Sequence, residues 1–523
     1  MDALILAIDL GTSGPKVGLI TPQGVVVDCE IEATKLNILP GGGAEQDPDD
    51  WWAAIKAAMA RLLANNPAAI GKIRAIGVTS QWSGTVALGR DGRHLMNAII
   101  WMDSRGAPYA QEITGGFPKV EGYGLSRLLT WVRLTGGIPT QSGKDPIAHI
   151  LYVKHRLPDI YRHTHQFLEP KDYLNLRLTG QYASSYETIT LHWVTDNRDI
   201  DAIRYDEKLL RWSTIDPTKL PPLKRAVDVL GPIQPDVARE LGLPADIPVI
   251  MGTPDIHSAA IGSGAVADFE PHLYIGTSSW LTCHVPYKKT DLFHNMASLP
   301  SAVPGRYFLI NEQETAGACL AFLRDNILYA DDELRRDTRV ENVYPIFDRM
   351  VEATPPGDDK VIFTPWLHGE RTPVDDRHVR GGFHNLSLRT TRAHMIRSVF
   401  EGVAFNSRWL LQYVEKFTGR RMERIRIIGG GANSNVWCQI IADVMNRTIV
   451  QMREPIQANL RGVGLLAAVA TGHTTFAQIN NDVPVAAEFT PDPANRAIYD
   501  ELYAAYSEIY KQNKRIFAKL NQS

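Results

Sequence analysis

Two short stretches of this chain, half its length apart, read as the same supersecondary unit, and that repetition limits the fold more than any other feature. The first is Leu4-Ile5-Leu6-Ala7-Ile8-Asp9-Leu10-Gly11-Thr12-Ser13-Gly14-Pro15-Lys16-Val17-Gly18-Leu19-Ile20: an apolar strand, a small-residue turn and a second apolar strand. The second is Leu273-Tyr274-Ile275-Gly276-Thr277-Ser278-Ser279-Trp280-Leu281-Thr282, again strand, Gly-Thr-Ser turn, strand. Two like hairpins at matching places predict a duplicated domain with a cleft between the copies. In the first turn, Gly11 and Gly14 let the backbone bend sharply and approach a ligand, and Thr12, Ser13 and the amides between them offer donors that suit phosphate oxygens. Asp9, at the mouth of the strand, is placed to hold a metal ion or its water shell.

A chain of 523 residues, 44% hydrophobic and 22% charged, is long enough for two large α/β domains. With 55 basic and 58 acidic residues the formal net charge is -3, which gives no electrostatic case for nucleic acid or a membrane surface as main partner. The expected partner is a small molecule. Cys29, Cys283, Cys319 and Cys438 are far apart and form no CxxC pair, so neither a disulfide framework nor a zinc site is indicated and a reducing, cytoplasmic setting is expected. The first strand begins within a few residues of Met1, without the pattern of a secretion signal, and no apolar run reaches membrane-spanning length.

Along the chain, Asp47-Pro48-Asp49-Asp50 precedes a predicted helix from Trp51 to about Asn65. Ile73 to Thr79 reads as a strand, and Gln81-Trp82-Ser83-Gly84 as the loop at its end, where ligands of open α/β sheets sit. Gln81, Trp82 and Ser83 are therefore candidate substrate contacts, with core packing the alternative for Trp82. A further apolar strand, Asn97 to Met102, runs into Asp103-Ser104-Arg105; Asp103 is counted with the substrate contacts, and an ion pair at the surface is the alternative. Gly143-Lys144 invites comparison with a phosphate-binding loop, but Ile138 stands where a Gly is needed and Asp145 where Ser or Thr is needed. Glu169-Pro170-Lys171-Asp172-Tyr173, running on to Gly180, reads as a capped helix with a Gly stop.

Near the middle, Met251-Gly252-Thr253-Pro254-Asp255 ends a strand and opens a small-residue helix. An Asp at a helix start is commonly a cap, and a carboxylate beside the cleft of the two hairpins can also take a proton from a hydroxyl; the two roles are compatible. Gly369 to Pro373 reads as an irregular polar loop, Arg392 to Lys416 as a long helix, and Asn495 to Leu520 as an amphipathic one. Ile425 to Asn435 is strand, triple glycine and helix start, which offers bare amides at a positive helix end; the dinucleotide glycine spacing is not met.

Taken in order, these stretches resemble the FGGY family of carbohydrate kinases, its xylulokinase branch most closely. The resemblance rests on Asp9-Leu-Gly-Thr-Ser-Gly14, Leu168-x-Pro-Lys-Asp-Tyr-Leu174 with Leu178-Thr-Gly180, Gly252-Thr-Pro-Asp255, Gly276-Thr-Ser278, Gly369-Glu-Arg-Thr-Pro373, Glu401-Gly-Val-Ala404 and Gly429-Gly-Gly-Ala432. It implies two ribonuclease-H-like (actin/hexokinase-like) α/β domains, 1–262 and 263–523, closing on a catalytic cleft. It further implies ATP and Mg²⁺, with Asp255 as the base acting on the sugar hydroxyl and Asp9 positioning the metal. Thr12, Ser13, Gly276 and Thr277 would hold the β- and γ-phosphates, and Gly317, Gly431, Ala432 and Asn435 would line the nucleotide pocket. The implied reaction is phosphorylation of a ketopentose, D-xylulose to D-xylulose 5-phosphate. Alternatives are ribulose, glycerol or erythritol as acceptor, and a sugar-sensing protein without catalysis on the same fold; a homodimer is left open. Departures gather at the substrate end, where xylulokinases typically carry Gln-Met-His-Gly and this chain has Gln81-Trp82-Ser83-Gly84, and where Ile150 and Tyr152 replace the usual Lys and Trp. Asn385 stands where the family pattern has Gly, and Asn accepts a positive φ well enough to keep the turn.

Overall fold

The computed structural model describes residues 3–333 and 340–521, and its backbone is built round two mixed sheets of one plan. In the first, β1 (Leu4–Gly11), β2 (Gly14–Ile20) and β3 (Val26–Ile31) form an antiparallel meander. On the other side of β1 lies β4 (Ile73–Ser80), parallel to it, and the sheet closes with an antiparallel edge strand β5 (Val229–Pro232) against β6 (Pro248–Ile250). The short β7 (Thr253–Pro254) runs parallel beside the end of β4.

The second sheet repeats this. β8 (Pro271–Ile275) pairs antiparallel with β9 (Ser279–Val285), and β10 (Met296–Pro300) and β11 (Tyr307–Ile310) extend that side. Opposite, β12 (Arg424–Ile428) and β13 (Thr448–Met452) run parallel to β8, and β14 (Val485–Phe489) is again an antiparallel edge. The continuous apolar runs of β1 and β8 follow from this position, because a central strand of a mixed sheet with helices on its faces is covered on both sides; Ile5, Leu6, Ala7 and Leu10 are all buried.

Helices cover the sheets. α1 (Pro48–Asn65) starts earlier than its apolar pattern, because Asp47 caps it by accepting the Asp49 amide and proline suits a first helical turn. α2 (Pro170–Thr179) ends at Gly180 in the left-handed region. The C-terminal half carries α4 (Arg392–Thr418), α5 (Asn435–Met445) and α7 (Arg496–Leu520). Only Ala98–Ile99 of the strand predicted at 97–102 pairs in a sheet: the Ile100 carbonyl accepts from the Asp103 amide at 2.9 Å and closes a turn instead. Asn385 adopts φ 64° and the turn is kept.

Two crossing helices, α3 (Asp255–Gly262) and α6 (Ala458–Ala470), link the halves. A Cβ on Gly262 would lie 1.8 Å from the Ala458 carbonyl oxygen, and one on Gly462 would lie 1.8 Å from that of Ser258, so only glycine permits this approach. The Ser258 hydroxyl donates to the Asn459 carbonyl at 2.8 Å across the same contact. α6 also presses Leu460 and Val463 onto Ala7 and Ile20 of the first sheet. One core cluster therefore unites both halves, with Ile5 and Ile250 from one and Ile428 and Val450 from the other. Among the described residues no helix is long and apolar enough to cross a membrane.

Candidate active site

The carboxyl ends of β1, β4 and β7 lie side by side: Asp9 is opposite Thr79, and Thr79 is opposite Thr253. Three chain segments therefore leave the sheet at one edge, carrying Asp9, Gln81 and Asp255, and such an edge is where open α/β sheets bind ligands. Asp255 is the first residue of α3, behind Pro254 at the cap position, and its Oδ1 accepts the Ile256 amide at 2.8 Å. Burial, and next the charge of Asp9, push its carboxyl from 3.8 up to about 7; Glu312, reaching in from the second domain, adds to the rise. Asp9 is itself raised by burial and held back by Lys16, whose Nζ is 3.6 Å from Oδ2. The same ammonium reaches the Ile456 carbonyl at 3.5 Å, so it touches both halves of the chain.

Around the first turn the polar groups are tied together. The Thr12 hydroxyl donates to Gln81 Oε1 and accepts from the Trp101 indole, both at 3.0 Å. Gln46 donates to the Thr12 carbonyl at 2.9 Å, and its own Oε1 accepts from Gln81 at 2.7 Å. Ser13 stands exposed beside them. Trp82 is half-buried, donates from Nε1 to the Thr188 carbonyl at 3.0 Å and sets its ring edge-on to His257 at 5.6 Å. Ser83 is buried with φ 65°, and its hydroxyl donates to the Lys144 carbonyl at 2.7 Å. Asp103 is buried, not at the surface: it accepts the Ala44 amide at 2.9 Å and pairs with Arg105, which also binds Glu45.

On the second sheet, β8 and β12 are parallel neighbours and end together. Gly276 and Thr277 follow β8, and their carbonyls accept the amides of Gly317 at 2.7 Å and Ala316 at 2.8 Å, which stitches the two loops into one wall. Gly431 abuts the Ile275 side chain. Ala432 is buried in the core and takes part through its carbonyl, which accepts from Gln451 Nε2 at 2.7 Å; the same amide donates at 2.9 Å to Asn435, an exposed residue at the start of α5. Ser434 caps that helix, whose positive end faces the glycine turn.

Several residues of the cleft carry no expected role from the sequence alone. Arg371 pairs with both Glu312 and Glu314. Glu370 fixes that group by accepting the Glu314 amide at 3.0 Å, the Arg371 amide at 2.9 Å and Asn406 Nδ2 at 2.7 Å; burial pushes its carboxyl up to about 7. Burial, and next the charge of Arg371, lower the Lys144 ammonium, so this first-domain side chain faces the second. Glu370 and Arg371 lie in a recognised motif, but no local pattern announces Glu312 or Gln46. Among the described residues the one carboxylate–imidazole group with metal-ligand spacing is Asp47, Asp49 and His94, at the start of α1, where Asp47 already serves as the cap.

Two sheets of one plan, each ending in a glycine-rich turn, with a buried carboxylate of raised pKa at the join, define a phosphotransferase of the actin/hexokinase-like class. Residues 4–262 match the N-terminal domain, and residues 273–471 the C-terminal domain, of the FGGY family of carbohydrate kinases. The chain belongs to this family, whose members use ATP as the phosphoryl donor and an alcohol group of a sugar as acceptor. It is 27% identical to a xylulose kinase of Staphylococcus epidermidis, over 99% of this chain and 98% of that one. Among solved structures, a xyloylose kinase from Brucella ovis superposes with a TM-score of 0.85 at 26% identity, covering 98% of this chain and 100% of the other. A gluconate kinase from Lactobacillus acidophilus also gives 0.85, at 25% identity, with 99% and 100% covered.

Proposed function

We propose that this sugar kinase transfers the γ-phosphoryl group of ATP to a hydroxyl of a ketopentose, D-xylulose before others, giving D-xylulose 5-phosphate. The observation that carries the mechanism is Asp255: a carboxylate pushed to about 7, set at the strand edge where the charges of Asp9 and the second domain's Glu312 act on it. A group titrating near neutrality takes a proton from an acceptor hydroxyl without being wholly protonated beforehand. Asp255 thus holds the acceptor oxygen's proton, while Gln81, Trp82, Ser83 and Asp103 shape the sugar end. Ser13 and the backbone of Thr12, Gly276 and Thr277 bind the β- and γ-phosphates, and Gly317, Gly431, Ala432 and Asn435 border the nucleotide. Such positioning and charge neutralisation supply most of the acceleration in phosphoryl transfer.

The residues present fit Mg²⁺. The donor is a buried carboxylate oxygen, and apart from Lys16 the described residues give the Asp9 carboxylate no partner, which suits a hard cation held by one carboxylate and substrate phosphates. Bound there, the ion neutralises phosphate charge. D-xylulose is put first by the xylulose kinase relative, 27% identical over 99% of this chain, and the gluconate kinase match at 25% makes gluconate the acceptor to test against it. On this reading the domain boundary falls at 262/263, a division that the element bounds allow since α3 ends at Gly262 and β8 begins at Pro271, and a cytoplasmic location accords with four free cysteines.

The test is ADP release with Mg-ATP and D-xylulose by Asp255→Asn. Loss of about 10²- to 10⁴-fold in kcat, with the fold intact by circular dichroism, is expected for removal of a general base. A variant that turns over at the wild-type rate would exclude Asp255 as that base.

A further inference from the structure

α2 is buried along almost its whole length, yet it carries Lys171, Asp172 and Asn175 where apolar side chains would be cheaper to bury. The bonds of Lys171 and Asn175 run to the backbone of the strand end that leads to Asp255. Lys171 Nζ donates to the Met251 carbonyl at 3.0 Å as well as to the Asp172 carboxylate, and Asn175 Nδ2 donates to the same Met251 carbonyl at 2.7 Å. This segment is also pressed on β4: Gly252 has φ +69°, and a Cβ there would lie 2.1 Å from the Val78 carbonyl oxygen. At the opposite flank of the helix start, Glu169 Oε2 accepts the Gly84 amide at 3.0 Å and so holds the loop that carries Gln81, Trp82 and Ser83.

We propose that Glu169, Lys171 and Asn175 form a bracket that fixes the acceptor loop relative to Asp255, with Glu169 setting the loop and Lys171 with Asn175 setting the base. The proposal rests on the reading of Asp255 as base and of residues 81–84 as acceptor loop. The three are positioning residues: they bond the backbone of both segments and touch no reacting atom. Because the two arms of the bracket hold different parts of the site, their loss has different kinetic signatures. Burial, and next the Asp172 charge, push the Glu169 carboxyl well above the ordinary range, and glutamine keeps an acceptor oxygen for the Gly84 amide without a charge to bury.

The experiment compares steady-state kinetics of the full-length protein with Mg-ATP and D-xylulose. Lys171→Met keeps the Asn175 bond to Met251; its kcat is expected to fall about tenfold to a hundredfold, as for a displaced catalytic group, with the acceptor KM little changed. Glu169→Ala leaves the Gly84 amide unpaired and is expected to raise the acceptor KM about tenfold, with kcat little changed. Glu169→Gln restores the wild-type KM. Should Lys171→Met fail to fold, Asn175→Ala, which retains the Lys171–Asp172 pair, reads the same clamp. Equal effects of both arms on kcat and KM, or a wild-type kcat in Lys171→Met while Asp255→Asn is inactive, would overturn the bracket. An active Asp255→Asn would instead remove the base reading, and the bracket with it.

Discussion

Above about pH 7 the Asp255 carboxylate is charged, and below it neutral, because burial and the neighbouring charge of Asp9 favour the protonated form. In the proposed role of base it works deprotonated, so kcat/KM is expected to fall about tenfold per pH unit below that point. The same shift bears on stability. The folded-state pKa lies above the unfolded one, so the folded protein binds more protons between about pH 4 and 7, and stability drops as pH rises through that window. The move from 3.8 to about 7 corresponds to a cost on the order of 4 kcal/mol at pH 8. Asp255→Asn removes it, and thermal denaturation is expected to show the inactive variant melting above the wild type at pH 8 but not at pH 4. Asp255 is legible in the sequence because strand, Asp and small-residue helix are contiguous. The commitment of the Thr12 hydroxyl is not, since its partners Gln81 and Trp101 lie 69 and 89 residues away.

At the scale of elements, local patterns carry far where the physics is local. The Gly stop after α2, the acidic cap before α1 and the positive φ of Asn385 all depend on a few neighbouring residues. The segment 97–102 has the composition of a strand and pairs over two residues only, because a turn bond to Ile100 competes with the ladder. The crossing of α3 and α6 is the least visible feature, since Gly262 and Gly462 meet across 200 positions and a glycine in a helix gives no sign of what it approaches. The contact makes a definite demand on volume. Gly262→Val places side-chain atoms where the Ala458 carbonyl lies, and urea denaturation is expected to show a loss of about 1 to 3 kcal/mol or more, as for an overpacked core. A variant as stable as the wild type would mean that the helices are free to part.

For the whole molecule, the repeated hairpin correctly announces two sheets of one plan, and the charges of Asp255 and Asp9 from the first act on Tyr274 of β8 in the second, so the two strand ends border one cleft. The sequence carries the kinase machinery in motifs spread along the chain. On the proposed reading the acceptor's identity is written less directly, in a surface that includes Trp82 and Ser83 and faces Lys144, Glu312 and Arg371, whose hydrogen bonds depend on tertiary contacts. Discrimination between sugars rests on such buried polar contacts, which are expensive to leave unmatched. The measurement that addresses the central claim is acceptor-dependent ADP release with Mg-ATP across D-xylulose, D-ribulose, D-gluconate, erythritol and glycerol, compared by kcat/KM. D-xylulose is expected to lead by about tenfold or more, the margin that a few matched hydroxyl contacts provide. Preference for gluconate or a polyol, or ADP release that no acceptor stimulates, would contradict it.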